Sequence, residues 1–198
     1  MATVSDGQEF ENQKFLKRSL RQVKRLQRAV SRKQPGSKSH RQAVKKLARA
    51  HDRVACQRAD YQHKMTTHLT RQYGIIGLED LNLKGMMQNH HLAQAVSDAA
   101  MGQMARQFEY KAAWAGGRVV YVDRWFASSK ICNECGWEKR DLQLGEKEWV
   151  CGGCHRLVPR DPNASSNIKD EVRRILASEA EGLLPENEIV AAVAPSRR

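Results

Sequence analysis

The chain has 198 residues, enough for one ordinary domain with a small appended module and too few for a large multidomain assembly. Its 34 Lys and Arg against 22 Asp and Glu leave a formal net charge of +12, which points to a polyanionic partner, because each cation set on a phosphate releases a condensed counterion. No apolar leader opens the chain, no stretch approaches the roughly 18 apolar residues of a membrane span, and no basic helix carries an interfacial Trp and Phe belt. We therefore expect nucleic acid rather than a membrane as partner, and a reducing cytoplasmic location.

Thr3-Val4 followed by Ser5-Asp6-Gly7 reads as a short strand and turn. From Lys14 onward, Leu16, Leu20, Val23, Leu26 and Val30 step by three or four, predicting an amphipathic helix that Gln34-Pro35-Gly36-Ser37 ends. A second helix is predicted from Ser39 to Gln72, with Val44, Leu47, His51, Val54, Arg58, Tyr61 and Met65 along its seam, His51 and Arg58 being packed or snorkelling. The pair forms a basic antiparallel hairpin over residues 14–72. Between Lys14 and Arg71 the acids are only Asp52 and Asp60, so the cations read as an electrostatic footprint, against the plainer alternative of a solvated helix face. Arg21, Arg25, Arg28, Arg32, Lys33, Lys45 and Lys46 are its candidate phosphate contacts.

The run from Ile75 to Leu81 is a buried strand delivering Glu79 and Asp80 at its end, and Asn82 to His91 is loop-like. Ser97-Asp98 offers an N-cap for a helix to about Ala115, with Met101, Met104, Ala105, Phe108 and Ala112 on one face and Gly116-Gly117 as its stop. Arg118 to Asp123 is a second buried strand. A last helix starts near Pro162 and carries Ile168, Val172, Ile175 and Leu176; beyond about Gly182 a disordered tail is expected. Strands alternating with helices imply an α/β sheet, and no internal repeat is present.

Cys132, Cys135, Cys151 and Cys154 are spaced Cys-x2-Cys-x15-Cys-x2-Cys, two knuckles whose thiolates can close a tetrahedral site on one structural Zn2+. Disulfides are disfavoured in a reducing compartment; Cys56 is a free thiol, and His155 is not needed once four cysteines fill the shell. Trp125, Phe126, Trp137 and Trp149 flank the knuckles and are expected to shield the metal core, with stacking on bases as the alternative. Arg124, Ser128, Ser129 and Lys130 are further candidate phosphate contacts.

The strings Gly77-Leu78-Glu79-Asp80-Leu81-Asn82, Gln107-Phe108-Glu109-Tyr110-Lys111, Val122-Asp123-Arg124, Ser128-Ser129-Lys130-Ile131-Cys132 and Arg160-Asp161-Pro162-Asn163-Ala164, in this order, resemble the OrfB/TnpB family of insertion-sequence proteins. The resemblance runs to about residue 176 and implies a partial RNase H-like (RuvC-type) nuclease fold interrupted by a basic helical hairpin and by a zinc ribbon. Members cut DNA under RNA guidance, using three carboxylates that hold two Mg2+ ions. The match to the family's motifs makes Glu79 the second carboxylate and Asp161 the third; the first has no counterpart, since Met1-Ala2-Thr3-Val4-Ser5-Asp6-Gly7 begins inside the run that follows it. Asp161 before Pro162 also suits a helix cap, and Asp80, Asp98 and Asp123 read as caps or supporting groups. Pro159 and Ser165 depart from the residues usual in the family.

The expected organisation is a partial RuvC-like domain over 1–126, a zinc-ribbon insert over 127–158, a final RuvC-like helix over 159–180 and a disordered tail over 181–198. The expected partners are DNA and guide-type RNA, with Zn2+ structural and Mg2+ implied by the family. The leading expectation is the nuclease portion of a transposase-family protein, inactive alone for want of its first carboxylate. Its rivals are a non-catalytic zinc-ribbon protein that binds guide RNA or regulates, and a decayed fragment.

Overall fold

The computed structural model describes residues 2–90, 93–143, 145–179 and 189–193. Its strands are β1 (Ala2–Val4), β2 (Glu9–Phe10), β3 (Ile75–Glu79), β4 (Arg118–Val122), β5 (Glu148–Val150), β6 (Leu157–Pro159) and β7 (Ile189–Val193). Five of them make one mixed sheet in the order β2-β1-β7-β3-β4, and β5 with β6 forms a separate antiparallel ribbon. β1 runs antiparallel to β2 and to β7, whereas β3 runs parallel to β4 and to β7.

The period of two along β3 assigns its faces. Ile75 joins Val120, Val122, Ala164, Ile168, Val172 and Leu176 in a core cluster under α6 (Arg160–Glu179). Ile76 and Leu78 turn the other way, onto Met65 and Leu69 of α2 (Lys38–Gln72) and Phe108 of α5 (Met101–Trp114), where Ala2 and Val4 of β1 also pack. A strand buried on both sides has no polar face, which is why Ile75 to Leu78 reads as a continuous apolar run. The sheet is thus covered by helices on both faces. At its lower edge Gly117 lies against Gly74, where an added Cβ would stand 2.1 Å from the Gly74 carbonyl oxygen.

The hairpin forms as the periodicity predicts, from α1 (Phe15–Ser31) and α2, with the Ser37 hydroxyl accepting from the His40 amide at 3.1 Å as the N-cap of α2. The seam is turned slightly from the expected one: Ala43 is buried while Val44 is 41% exposed, and His51 is exposed. Arg58 is not merely snorkelling; it pairs with the buried Asp98 at 3.3 Å.

Three further expectations are corrected. The polar stretch after β3 is not all loop, because Asn82 caps a short helix, α3 (Leu83–Gln88), by accepting from the Gly85 amide. The helix expected from Asp98 is two, α4 (Ala93–Ala99) and α5, broken at Ala100 in a left-handed conformation with φ of 46°. Asp98 caps neither; its carboxylate accepts the Leu16 and Lys17 amides at the start of α1, at 3.0 and 3.4 Å. Finally, the tail expected to be disordered from residue 181 contains β7, the central strand of the sheet, because two inner strand edges take up its backbone groups; residues 180–188 and 194–198 lie outside the described residues.

Candidate functional site

Glu79 is the last residue of β3 and shares the α6 face of the sheet with Ile75, four positions before it. It is half-buried, and its Oε1 accepts a hydrogen bond from the Ser128 hydroxyl at 2.6 Å. Ser128, expected as a phosphate contact, is 5% exposed and directs its hydroxyl to Glu79.

The loop carrying Ser128 is tied to α6 by a set of asparagines. Asn167 donates to the Ser128 and Ile131 carbonyls at 2.6 and 2.7 Å, and Asn163 donates to the Ile131 carbonyl at 2.6 Å. In return the Asn133 amide donates to Asn163 Oδ1 at 2.9 Å, and the Asn133 side chain to Asn167 and Asp170 at 3.0 and 2.8 Å. Asp161 stands half-buried in the first turn of this same helix, a favourable place for a negative charge. Because α6 begins at Arg160, Asp161 lies inside its first turn rather than at the cap position expected before Pro162. One helix therefore carries Asp161 and also holds the loop that engages Glu79. Sequence reasoning missed the asparagines, although Asn163 and Asn167, one turn apart beside Ala164 and Ile168, mark a polar notch in an otherwise apolar face. Among the described residues, no group of three or more His, Asp or Glu side chains converges anywhere.

Around the loop, Arg124 is engaged with Asp80, its Nε donating to Asp80 Oδ2 at 3.0 Å, and Asp123 accepts the Trp125 amide at 2.7 Å. Ser129 and Lys130 are half-buried.

The four cysteines converge as their spacing predicts. All four Sγ atoms lie within 4.8 Å of one another, with Cys132 to Cys154 at 3.8 Å and Cys135 to Cys151 at 3.4 Å. A tetrahedron with metal–sulfur bonds of about 2.3 Å has edges of about 3.8 Å, so the set fits one closed, soft-ligand Zn2+ site. Burial pushes the Cys151 thiol up, but the Cys154 and Gly153 amides and the neighbouring thiols outweigh it and bring it down to about 6, whereas at Cys135 and Cys154 the Trp137 and Arg156 amides are outweighed by burial and the neighbouring thiols, and both are raised. Trp149 is buried with Cys132, Cys151 and Val158, and Trp137 lies over Gly152, where a Cβ would meet its ring at 2.5 Å. These two tryptophans shield the centre; Trp125, 85% exposed, does not. His155 is exposed and outside the cluster.

On the hairpin, Arg21, Arg25, Arg28 and Arg32 are exposed and recur at steps of four, three and four, and Lys45 and Lys46 are exposed on α2; Lys33, just beyond α1, is half-buried. Among the described residues no ion pair joins any of these to an acid. The charge is available to a ligand.

Comparison with known proteins bears on both features. Residues 1–90 match the OrfB_IS605 family, described as "Probable transposase", and residues 102–168 match the "Cas12f1-like, TNB domain". A "Putative RNA-guided DNA endonuclease" of Streptomyces pristinaespiralis is 40% identical over 168 residues, covering 85% of this chain and 42% of the relative. A protein of the same description from Mycobacterium tuberculosis is 36% identical over 85% of this chain and 38% of its own length. One from Escherichia coli K12 is 29% identical over 89% of this chain and 48% of its own length. The chain thus spans less than half the length of each of these relatives. Among the described residues no helix is long and apolar enough to cross a membrane.

Proposed function

We propose, for a chain that belongs to the OrfB/TnpB family of transposases, that it forms the nuclease portion of an RNA-guided DNA endonuclease, binding DNA and guide-type RNA in the cytoplasm. The single observation that carries this reading is the joining of Glu79, through Ser128 and Asn167, to the helix whose first turn bears Asp161. An RNase H-like, RuvC-type arrangement is supported by the parallel β7-β3-β4 strands, the antiparallel β1-β2 hairpin beside them and the helices on both faces.

In this reading each part of the chain has one task. The cations of α1 and α2 take the nucleic-acid backbone, the four-cysteine module stiffens the loop from Ser128 to Asn133 from its far side, and Glu79 and Asp161 offer hard oxygen donors. Two carboxylates suit Mg2+, which keeps several waters and takes one or two acidic side chains together with phosphate oxygens. When bound, Mg2+ supplies charge stabilisation and an activated water for phosphodiester hydrolysis. Ser128, by donating to Glu79, fixes one carboxylate rotamer and leaves the other oxygen for the ligand.

A second reading, a binding module without catalysis, is favoured by the lack of any group of three converging acids among the described residues. Both readings are tested on the purified, zinc-loaded chain by measuring RNA and DNA binding across salt, Mg2+ binding by calorimetry, and nicking of plasmid DNA. The nuclease reading requires Mg2+ binding that Glu79→Ala and Asp161→Ala each weaken at least tenfold. Nucleic-acid binding with no such Mg2+ effect establishes the second reading, and binding that is weak and flat with salt refutes both.

A further inference from the structure

The two halves of the main sheet do not touch through hydrogen bonds. β1 and β3 each pair with β7 and not with each other: Thr3 with Val193 and Val4 with Ala192 on one side, Ile75 with Ile189, Ile76 with Val190 and Gly77 with Ala191 on the other. Five residues near the end of the chain thereby supply the partners for both inner edges. With β7 seated, Ala2, Thr3, Val4, Ile75, Ile76 and Leu78 are all at 5% exposure or less, and removing it would strip both inner edges of their backbone partners. The pairing described for this strand is backbone to backbone, which reads the extended shape and not the amino-acid identity. The nine residues 180–188 between α6 and β7 could span up to about 30 Å when extended, so the strand's position is not dictated by a short covalent connection.

We propose that the gap between β1 and β3 is a strand-acceptor site whose ligand is this chain's own segment 189–193, seated parallel to β3 and antiparallel to β1, and replaceable by the same segment offered in trans. The occupant also sets what stands beside the acid edge. Continued by two residues, the register of β7 on β3 brings position 193 next to Glu79, and the run Ile189-Val190-Ala191-Ala192-Val193 contributes no ionisable residue there.

Hydrogen exchange on the intact, zinc-loaded chain tests the seating. The amides of residues 2–4, 75–77 and 189–193 should be protected together, and exchange of 189–193 at the free-peptide rate overturns the proposal. In the full chain, Ala191→Pro deletes a ladder N–H and should lower the thermal midpoint by about 10 °C while releasing protection on both inner edges. A synthetic peptide of residues 186–198 should bind that variant and restore the protection of residues 2–4 and 75–77. An unchanged midpoint and protection in Ala191→Pro, or a folded but unprotected variant that the peptide fails to rescue, overturns it. If Ala191→Pro does not fold, the exchange pattern of the unaltered chain decides alone. None of these readouts depends on nuclease activity or Mg2+.

Discussion

Asn167→Ala removes the side chain that joins α6 to the loop bearing Ser128, and its cost follows from counting what is left behind. Asn167 donates to two carbonyls, but the Ile131 oxygen keeps a second donor in Asn163 at 2.6 Å, whereas among the described residues the Ser128 oxygen has no other donor. Asn133 likewise keeps Asp170 when its bond to Asn167 goes. One orphaned buried carbonyl costs about 1–3 kcal/mol and the shared bond about 1 kcal/mol more, so we expect a loss of about 2–4 kcal/mol. In a domain of this size that lowers the thermal midpoint by roughly 10 °C. The assay is a melt of zinc-loaded protein with hydrogen exchange across residues 128–133, which should lose protection selectively. Asn163→Ala should cost a comparable amount, and the double variant less than the sum, because both side chains converge on the Ile131 oxygen. A midpoint for Asn167→Ala within about 2 °C of the parent would refute the clamp.

Removing zinc with a chelator, or changing Cys151 to Ser, should release one metal per chain and abolish protection of residues 132–158; a chain that binds no zinc sinks the cluster assignment. Gly117→Ala forces a Cβ onto the Gly74 carbonyl and should destabilise the β3–β4 end by about 2 kcal/mol or more, read as a lowered denaturation midpoint at unchanged slope. Replacing Arg25, Arg28 and Arg32 together by Ala should flatten the logarithmic salt dependence of duplex DNA binding by up to about 2.7, and an unchanged slope would show that the nucleic acid binds elsewhere. Burial pushes the Asp6 carboxyl up, but the Tyr73 hydroxyl and the Gln8 donors outweigh it, so its folded value lies below the usual 3.8. That stabilisation is present above the unfolded value and lost as pH falls through the folded one; Tyr73→Phe should therefore reduce the acid sensitivity of stability below about pH 4.

Features written locally in the chain were legible from sequence alone. The apolar steps from Leu16 to Val30, the Pro35-Gly36 turn and the Ser37 cap locate α1 and α2, and the paired knuckles identify the thiolate cluster. What escaped depends on partners far apart in sequence. Asp98 looked like a cap for its own helix and instead serves α1, 82 residues before it, because two unsatisfied amides and Arg58 surround it there. Nothing near Ser128 in sequence shows that its hydroxyl meets Glu79, 49 residues before it, or that Asn167 holds its carbonyl. The run Ile189 to Val193, flanked by polar and Pro-containing sequence, shows its strand character only when β1 and β3 present two open edges. The one-residue turn of the α2 seam, Ala43 for Val44, arises because a long helix touching different neighbours along its length does not keep one fixed inward face.

The manner in which α2 is held has a mechanical outcome. Its 35 residues make a rod of about 50 Å, yet Gln62, Met65, Thr66, Leu69 and Thr70 concentrate its buried contacts at one end, where Asp98 and Arg58 also pin the start of α1. The remainder is braced chiefly by α1, with Val23, Ala43 and Val54 as its buried residues. In the function proposed, such a boom, rooted at the sheet and studded with arginines along its length, matches roughly 15 base steps of a polynucleotide at 3.4 Å apiece.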